Sequence, residues 1–359
     1  MMRRKLRAAI FALLVTGFVV AASFNYRGLT TAAPRASSAN ELLGMLPASD
    51  AIAFVDAQRA LSEIIPHIFA NDATSLADIN RQLDKLRDYT GTDARQLESV
   101  AVAVRFKNGT TNPEFVMGLV RGRFNATEAI ANGLAKAKAK AEAEKKSPVK
   151  WKEEQYEGST IYALERTGGF CMAAIDLNTI AFGDIGGIKA MMDARAGRAP
   201  RVDSSLVELA SLNASAVAGF AANVPPSAVK RFSGGDEFGE VFASIRQVYG
   251  SVDATGTTGI ASVSLRSETS EKAQALAEKL GSLKQLASFY FSQSASQGNA
   301  QSGKLSAEPD KGNRVQVAEN ALPLLSKWVK DATITAEGND VKLRLEEPLA
   351  DIASLWCSH

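Results

Sequence analysis

The stretch CMAAIDLNTIAFGDIGGIKAMMDA, residues 171–194, decides the fold because its pattern recurs 161 positions later. The later copy, ATITAEGNDVKLRLEEPLADIASL, spans residues 332–355 and aligns with the first without a gap. Asn178 falls on Asn339, in what both copies indicate is a turn. Apolar and charged residues alternate over residues 341–346, which is the period of a half-buried strand. Each copy therefore predicts a hairpin followed by a short helix.

The glycines of the first copy raise a choice between a phosphate-binding loop and a simple turn of the chain. The segment GDIGGI, residues 183–188, lacks the G-x-G-x-x-G order of a dinucleotide loop. It also lacks the Lys-Ser/Thr pair that ends a P-loop. The later copy has RLEEPL at the equivalent positions and keeps the same pattern. Because the shape does not depend on them, these glycines are interpreted as punctuation between strand and helix.

Two further segments of the first half also have counterparts in the second half. The opening strand AIAFV, residues 51–55, corresponds to AVAGF at residues 216–220. The hairpin of residues 99–124 and the helix after it correspond to a hairpin at residues 248–267 and its following helix. Asn125 is predicted to be the N-cap of the first of these helices.

We therefore predict an α+β fold, a duplicated unit of mainly antiparallel hairpins interleaved with helices. The predicted order in each unit is strand, helix, hairpin, helix, hairpin, helix, with the helices on one face of the sheets. An amphipathic helix at residues 74–89 and a hairpin at residues 149–164 are expected in the first unit alone.

Composition places the domain boundaries. Residues 1–23 are predicted to be a signal segment, and the small polar residues 24–40 to be a flexible tether. The first α+β unit is expected over residues 41–200 and the second over residues 201–359. A segment rich in Ser, Gln and Gly, residues 292–313, is expected to be a loop insertion in the second unit.

The beginning of the chain has the pattern of a secretory signal. Four cations within the first seven residues precede the mostly apolar residues 8–22, and small residues follow. We expect the protein to be exported, and periplasmic, extracellular or membrane-tethered. Both cleavage of the segment and its retention as an anchor remain open, so contact with a membrane is expected only during export or tethering.

The charge balance bears on the class of partner. Without residues 1–23 the chain has 37 Lys and Arg against 39 Asp and Glu. A nearly neutral chain of this kind does not favour nucleic acid as a partner.

The stretch LLGMLPASDAIAFVDAQRAL, residues 42–61, resembles the opening of a family of uncharacterised exported bacterial proteins. Domains of that family begin with Leu-Pro-Ala-Asp and an apolar strand. Here Ser49 stands between the Leu-Pro-Ala triplet and Asp50. The resemblance implies export and no known activity.

Reactive residues are few. His67 is the one histidine within the predicted fold, since His359 ends the sequence. The short motifs at Ser147 and Ser227, each three residues before a lysine, lack the companion elements of a penicillin-recognising enzyme. The acidic turn at residues 233–240 lacks the alternating ligands of a dedicated calcium loop. No catalytic, cofactor-binding or metal-binding residue is therefore predicted.

The two cysteines, Cys171 and Cys357, cannot form a disulfide framework. A single bridge between them and two separate thiols both remain open, as does the oligomeric state.

Three functions follow from these observations. The first is an exported, non-enzymatic binding or scaffold protein of the cell envelope, whose partner is an unknown protein. The second is a carrier of an apolar, lipid-like ligand held between sheet and helices, using the apolar residues of 168–175 and 286–294. The third is a carboxylate-dependent hydrolase, because paired acids have no sequence signature. A groove between the two units would be the default binding surface.

Overall fold

A computed structural model describes most of the chain between residues 36 and 349. The described residues are 36–108, 110–145, 150–165, 170–225, 227, 242–255, 257–297 and 327–349. The main α-helices within them are α1 (Ala36–Gly44), α2 (Ala57–Arg59), α3 (Ile65–Ile68), α4 (Ala73–Thr90), α5 (Ala126–Ala143), α6 (Ile185–Arg195), α7 (Ser204–Ala210) and α8 (Ser270–Gln297). A π-helical turn, Ala60–Ile64, joins α2 to α3.

Within the described residues, all twelve strands belong to one sheet. The strands are β1 (Ala51–Asp56), β2 (Leu97–Phe106), β3 (Pro113–Gly122), β4 (Trp151–Tyr156), β5 (Ser159–Leu164), β6 (Phe170–Ala174), β7 (Thr179–Asp184), β8 (Ala218–Asn223), β9 (Ile245–Thr255), β10 (Thr258–Ser267), β11 (Thr333–Glu337) and β12 (Asp340–Pro348). Their order across the sheet is β11-β12-β10-β9-β8-β1-β2-β3-β7-β6-β5-β4, and neighbouring strands are antiparallel. The protein is therefore α+β, as predicted.

The strand order is the same on both sides of the β1–β8 pair. Outward from this junction, one side has β1, β2, β3, β7 and β6, and the other has β8, β9, β10, β12 and β11. The hairpin β4–β5 extends the first side alone, as the sequence predicts. This order supports the idea of two copies of one unit, while the duplication itself stays a prediction.

The two hairpins that the repeat predicts are confirmed. Met172 pairs with Phe182 in the β6–β7 hairpin, which leads directly into α6. Thr335 pairs with Lys342 in the β11–β12 hairpin. The helix predicted after β12 lies almost wholly outside the described residues. The N-cap at Asn125 is also confirmed, since its side-chain oxygen accepts bonds from the first turn of α5.

Helices pack on both faces of the sheet, so the prediction that they occupy one face is wrong. Neighbouring residues of a strand point to opposite faces. Tyr249 of β9 packs in the main core with residues of α1, α6 and α7. Val248, the preceding residue, packs with Leu276 of α8 on the other side. Both faces carry apolar side chains at this strand, and each therefore requires a covering layer.

Two predicted irregular segments are partly helical. Helix α1 begins at Ala36, inside the predicted tether, because Leu42 and Leu43 are fully buried and anchor it to the core. Helix α8 continues to Gln297, so residues 292–297 are helical and not part of a loop. The rest of both segments, and the predicted signal, lie outside the described residues. Among the helices that are described, none has the length and apolar character needed to span a membrane.

Packing requires Gly183 at the end of β7 and Gly187 at the start of α6, so the interpretation that the shape does not depend on these glycines is wrong for both. Gly183 has a φ of +124°, and a Cβ there would lie 2.4 Å from the carbonyl oxygen of Val116. A Cβ at Gly187 would lie 2.9 Å from the ring of Phe115. Both glycines therefore let β7 and α6 approach β3 closely, which is a structural role.

Candidate functional site

The candidate site lies at the end of the sheet where β1 ends and β2 begins. Asp56 of β1 is the cross-strand neighbour of Ser99 of β2, and Ser99 is the neighbour of Arg121 of β3. Arg121 in turn faces Thr179, the first residue of β7. These side chains share the face that, two residues further along each strand, carries the buried core at Phe54, Ala101, Leu119 and Ala181. The core face thus becomes polar at this end.

The first cavity, here called the junction cavity, has a volume of about 330 Å³. It is lined by Ala39, Phe54, Asp56, Gln58, Glu98, Ser99, Arg121, Asn178, Ser211, Asn213, Ala214 and Ala216. The lining comes from both sides of the β1–β8 pair, because Asp56 and Arg121 precede the boundary at residue 200 and Asn213 follows it. The sequence predicts a default binding surface between two units, and residues of both predicted units line this cavity.

The second cavity, here called the arginine cavity, has a volume of about 250 Å³. It is lined by Glu41, Met45, Arg121, Asp176, Arg195 and Arg201. Arg121 lines both cavities, so they adjoin. Three guanidinium groups against two carboxylates give this lining an excess of positive charge.

Arg121 is held from several directions. Its side chain is 13% exposed, and Nη1 lies 3.0 Å from Oε2 of Glu41 on α1. Its Nε lies 3.4 Å from the hydroxyl of Thr179, and Nη2 lies 3.6 Å from the sulfur of Met45. Glu41 is 65% exposed, so the carboxylate of this ion pair remains largely hydrated. Nη2 also lies 3.3 Å from Oε1 of Glu41, so the carboxylate contacts two nitrogens of the guanidinium while it stays open to water.

Arg195 and Arg201 are anchored by backbone carbonyls. Nη1 of Arg195, at the end of α6, donates to the carbonyl of Ile175 at 2.5 Å. Nε of Arg201 approaches the carbonyl of Ala194 at 3.4 Å. A guanidinium has five N–H donors. Neither arginine forms an ion pair with a carboxylate in the part of the chain that the structure describes, so both retain donors for an additional group.

Two leucines project into solvent beside the junction cavity. Leu177, in the turn between β6 and β7, is 75% exposed, and Leu212, in the loop after α7, is 69% exposed. Each neighbours a residue that lines the cavity, Asn178 or Asn213. One leucine comes from each half of the chain. The two leucines therefore place large exposed apolar side chains on chain segments that line the cavity.

The electrostatic surroundings of Cys171 do not favour a reactive thiol. Cys171 is 1% exposed in the main core, and desolvation raises the pKa of its thiol. A buried thiol of this kind stays protonated and is a poor nucleophile. Cys357 lies outside the described residues, so a bridge between Cys171 and Cys357 and two separate thiols both remain open.

The other residues considered in the sequence do not contribute to this site. His67 lies on α3, where its Nδ1 is 2.7 Å from the carbonyl oxygen of Glu63. Ser147 of one Ser-x-x-Lys motif, Lys230 of the other, and the acidic turn at residues 233–240 lie outside the described residues. Across the described residues, no three His, Cys, Asp or Glu side chains form a group that could hold a metal ion.

Sequence reasoning missed the three arginines. Arg121, Arg195 and Arg201 belong to no motif, and they are brought together by the pairing of β3 with β7 and by the turn after α6. Their positions in the sequence alone carry no signal of this kind.

The fold and the site define an α+β protein with a polar cavity at the junction of two similarly ordered half-sheets. No family model matches the chain, and no curated protein matches it. Among solved structures, crystal form III of TP0453 has a TM-score of 0.42 at 11% identity, covering 88% of this chain and 98% of that chain. Crystal form IV has a TM-score of 0.43 at 10% identity, covering 91% and 100%. Likeness at this level carries no argument about residues or function.

Proposed function

We propose that this protein is an exported, non-enzymatic binding protein of the cell envelope. Its binding surface is the end of the sheet that holds the junction cavity and the exposed Leu177 and Leu212. The observation that carries the proposal is this combination of a polar cavity with two solvent-exposed leucines, contributed by both halves of the chain. The secretory pattern of residues 1–23 supports export.

A protein partner suits this surface better than an apolar small molecule. Charged and amide groups line the two cavities, including Asp56, Glu98 and Arg121. The apolar residues considered for a lipid carrier serve other purposes. Cys171 and Ala173 are buried in the core, whereas Leu286 and Phe289 are 56% and 61% exposed on α8 and line neither cavity.

The carboxylates of the junction cavity do not favour a hydrolase. Asp56 and Glu98 both line the cavity. However, Oδ1 of Asp56 accepts the backbone N–H of Arg59 at 2.8 Å and so caps α2. A carboxylate that caps a helix has a structural role.

The proposal is tested by site-specific photo-crosslinking in intact cells. A photoreactive phenylalanine analogue replaces Leu177 or Leu212, and Leu86 on α4, which is 45% exposed, serves as the matched control. We expect discrete protein adducts from Leu177 and Leu212 and none of the same mass from Leu86. The same adducts at all three positions, or none at either rim position, would contradict the proposal.

A further inference from the structure

The lining of the arginine cavity has more positive than negative side chains. Packing and backbone bonds hold three guanidinium groups at one cavity, yet only Glu41 and Asp176 among its lining residues are acidic. Arg195 and Arg201 are exposed, so this excess of positive charge is accessible to an anion from solvent.

We infer that the arginine cavity binds an oxyanion group, a carboxylate or a phosphate, that belongs to the bound partner. Planar guanidinium groups match such oxygens with paired N–H donors. The inference rests on the proposed binding function, because it assigns a chemical class to what the adjoining surface holds.

The positions of Arg195 and Arg201 are fixed by rigid elements. Arg195 ends α6, whose Ile188 and Met191 are fully buried in the main core. Arg201 lies in a segment that is tied to the residues after α1, since it forms a bridge with Pro47. The backbone of both arginines is therefore fixed, and each exposed guanidinium has one contact to a backbone carbonyl, which leaves its other donors accessible.

Arg121 links the oxyanion site to the rest of the surface. It lines both cavities, and its partner Glu41 is mostly exposed. An incoming oxyanion can replace Glu41 beside Arg121 without leaving a buried charge unpaired. Removing the carboxylate at residue 41 should therefore strengthen oxyanion binding.

The experiment measures binding by isothermal titration calorimetry with protein purified from cells that express the full-length chain. Inorganic phosphate and succinate are the two probes, titrated at constant ionic strength maintained with chloride. The variants are Arg195→Gln combined with Arg201→Gln, Glu41→Gln alone, and Arg81→Gln as the control. Arg81 is 63% exposed on α4 and pairs with Asp78 in its own helix. Circular dichroism verifies that each variant is folded.

At least one probe should bind to the wild-type protein. The double variant should weaken its binding at least tenfold, Glu41→Gln should strengthen it severalfold, and Arg81→Gln should leave it unchanged. Tighter binding of inorganic phosphate would indicate a phosphate group on the partner, and tighter binding of succinate would indicate a carboxylate. Absence of binding by both probes, or binding that the double variant does not weaken, would overturn the inference.

This result is separable from the proposed function. Rim adducts that persist without oxyanion binding would leave the binding function standing and remove the oxyanion site. Oxyanion binding without rim adducts would retain the site and remove the partner surface.

Discussion

Arg121 of β3 and Arg266 of β10 occupy equivalent positions in the two halves of the sheet. Each lies on the third strand from the β1–β8 junction. Arg121 faces Thr179, the first residue of β7, and Arg266 faces Asp340, the first residue of β12. Thr179 and Asp340 are separated by 161 positions, the spacing of the predicted repeat. The second half therefore has a cross-strand ion pair at the position where the first half has a cavity.

The Arg266–Asp340 pair is expected to stabilise the second half modestly. Nε and Nη2 of Arg266 contact the two carboxylate oxygens of Asp340 at 2.9 and 3.0 Å, but Arg266 is 38% exposed. A double-mutant cycle with Arg266→Gln and Asp340→Asn should give a coupling free energy of about 0.5–1 kcal/mol, measured by urea unfolding. A coupling of zero would show that solvent screens the pair completely.

The Arg59–Asp253 pair should contribute more, because its carboxylate is buried. Nη1 of Arg59 lies 3.0 Å from Oδ1 of Asp253, and the side-chain exposures are 20% and 9%. Arg59→Met leaves that carboxylate without its cation and should lower the free energy of unfolding by about 2–3 kcal/mol. Adding Asp253→Asn should recover at least half of the loss.

The matched control for this prediction is Arg81→Met. Arg81 and Asp78 are 63% and 57% exposed. The loss of such an exposed pair should change the free energy of unfolding by less than about 0.5 kcal/mol. Equal losses at Arg59 and Arg81 would contradict the role assigned to Asp253.

Replacement of Gly183 by alanine should destabilise the protein, whereas the same replacement of Gly186 should not. At Gly183 the backbone has positive φ and an added Cβ would strike β3, so Gly183→Ala should cost about 2–3 kcal/mol of unfolding free energy. At Gly186 nothing lies within 4 Å of the added Cβ. Since Gly186 is in a helix, the free energy of unfolding of Gly186→Ala should be within about 1 kcal/mol of the wild-type value or higher than it. Thermal and urea unfolding measure both, and a tolerated Gly183→Ala would refute the close packing.

Tyr249 should make the protein less stable in alkali. Desolvation of this residue, which is 4% exposed, raises the pKa of its phenol above the usual value of 10.0. The unfolded phenol therefore loses its proton first. The stabilising contribution is complete below pH 10 and is lost as the pH rises through the folded pKa. Urea unfolding between pH 8 and pH 11 should show a steeper loss for wild type than for Tyr249→Phe, and parallel curves would contradict this assignment.

Export is tested by cell fractionation and mass spectrometry of the purified chain. We expect the protein outside the cytoplasm, with an N-terminus between residues 22 and 38 if the signal is cleaved. A cytoplasmic protein that retains Met1 would refute export.

The sequence predicts those parts of the fold in which local pattern and tertiary structure agree. Alternation over residues 341–346 predicts β12, and the polar residue at position 125 predicts the start of α5. The prediction that the helices lie on one face was wrong because strand β9 has apolar residues on both faces. Which helix covers each face depends on segments that are distant in the sequence.

The sequence does not predict the candidate site, because its side chains come from segments that are distant in the sequence. Leu42 and Leu43 look like part of a short apolar run, and only their burial shows that α1 belongs to the core. Glu41 of that helix then reaches Arg121 on β3. A contact between residues so distant in the sequence has no local signature.

The β1–β8 pair sets the order in which the sheet can be completed. Ala51 pairs with Ala222, so one edge of β1 stays without its partner until most of the chain has been released. Pairings between such distant segments form slowly, and an open apolar edge invites association with other chains. With the proposed export of this chain, the interval would fall after translocation. The completion of the sheet would then depend on the folding assistance present on the far side of the membrane.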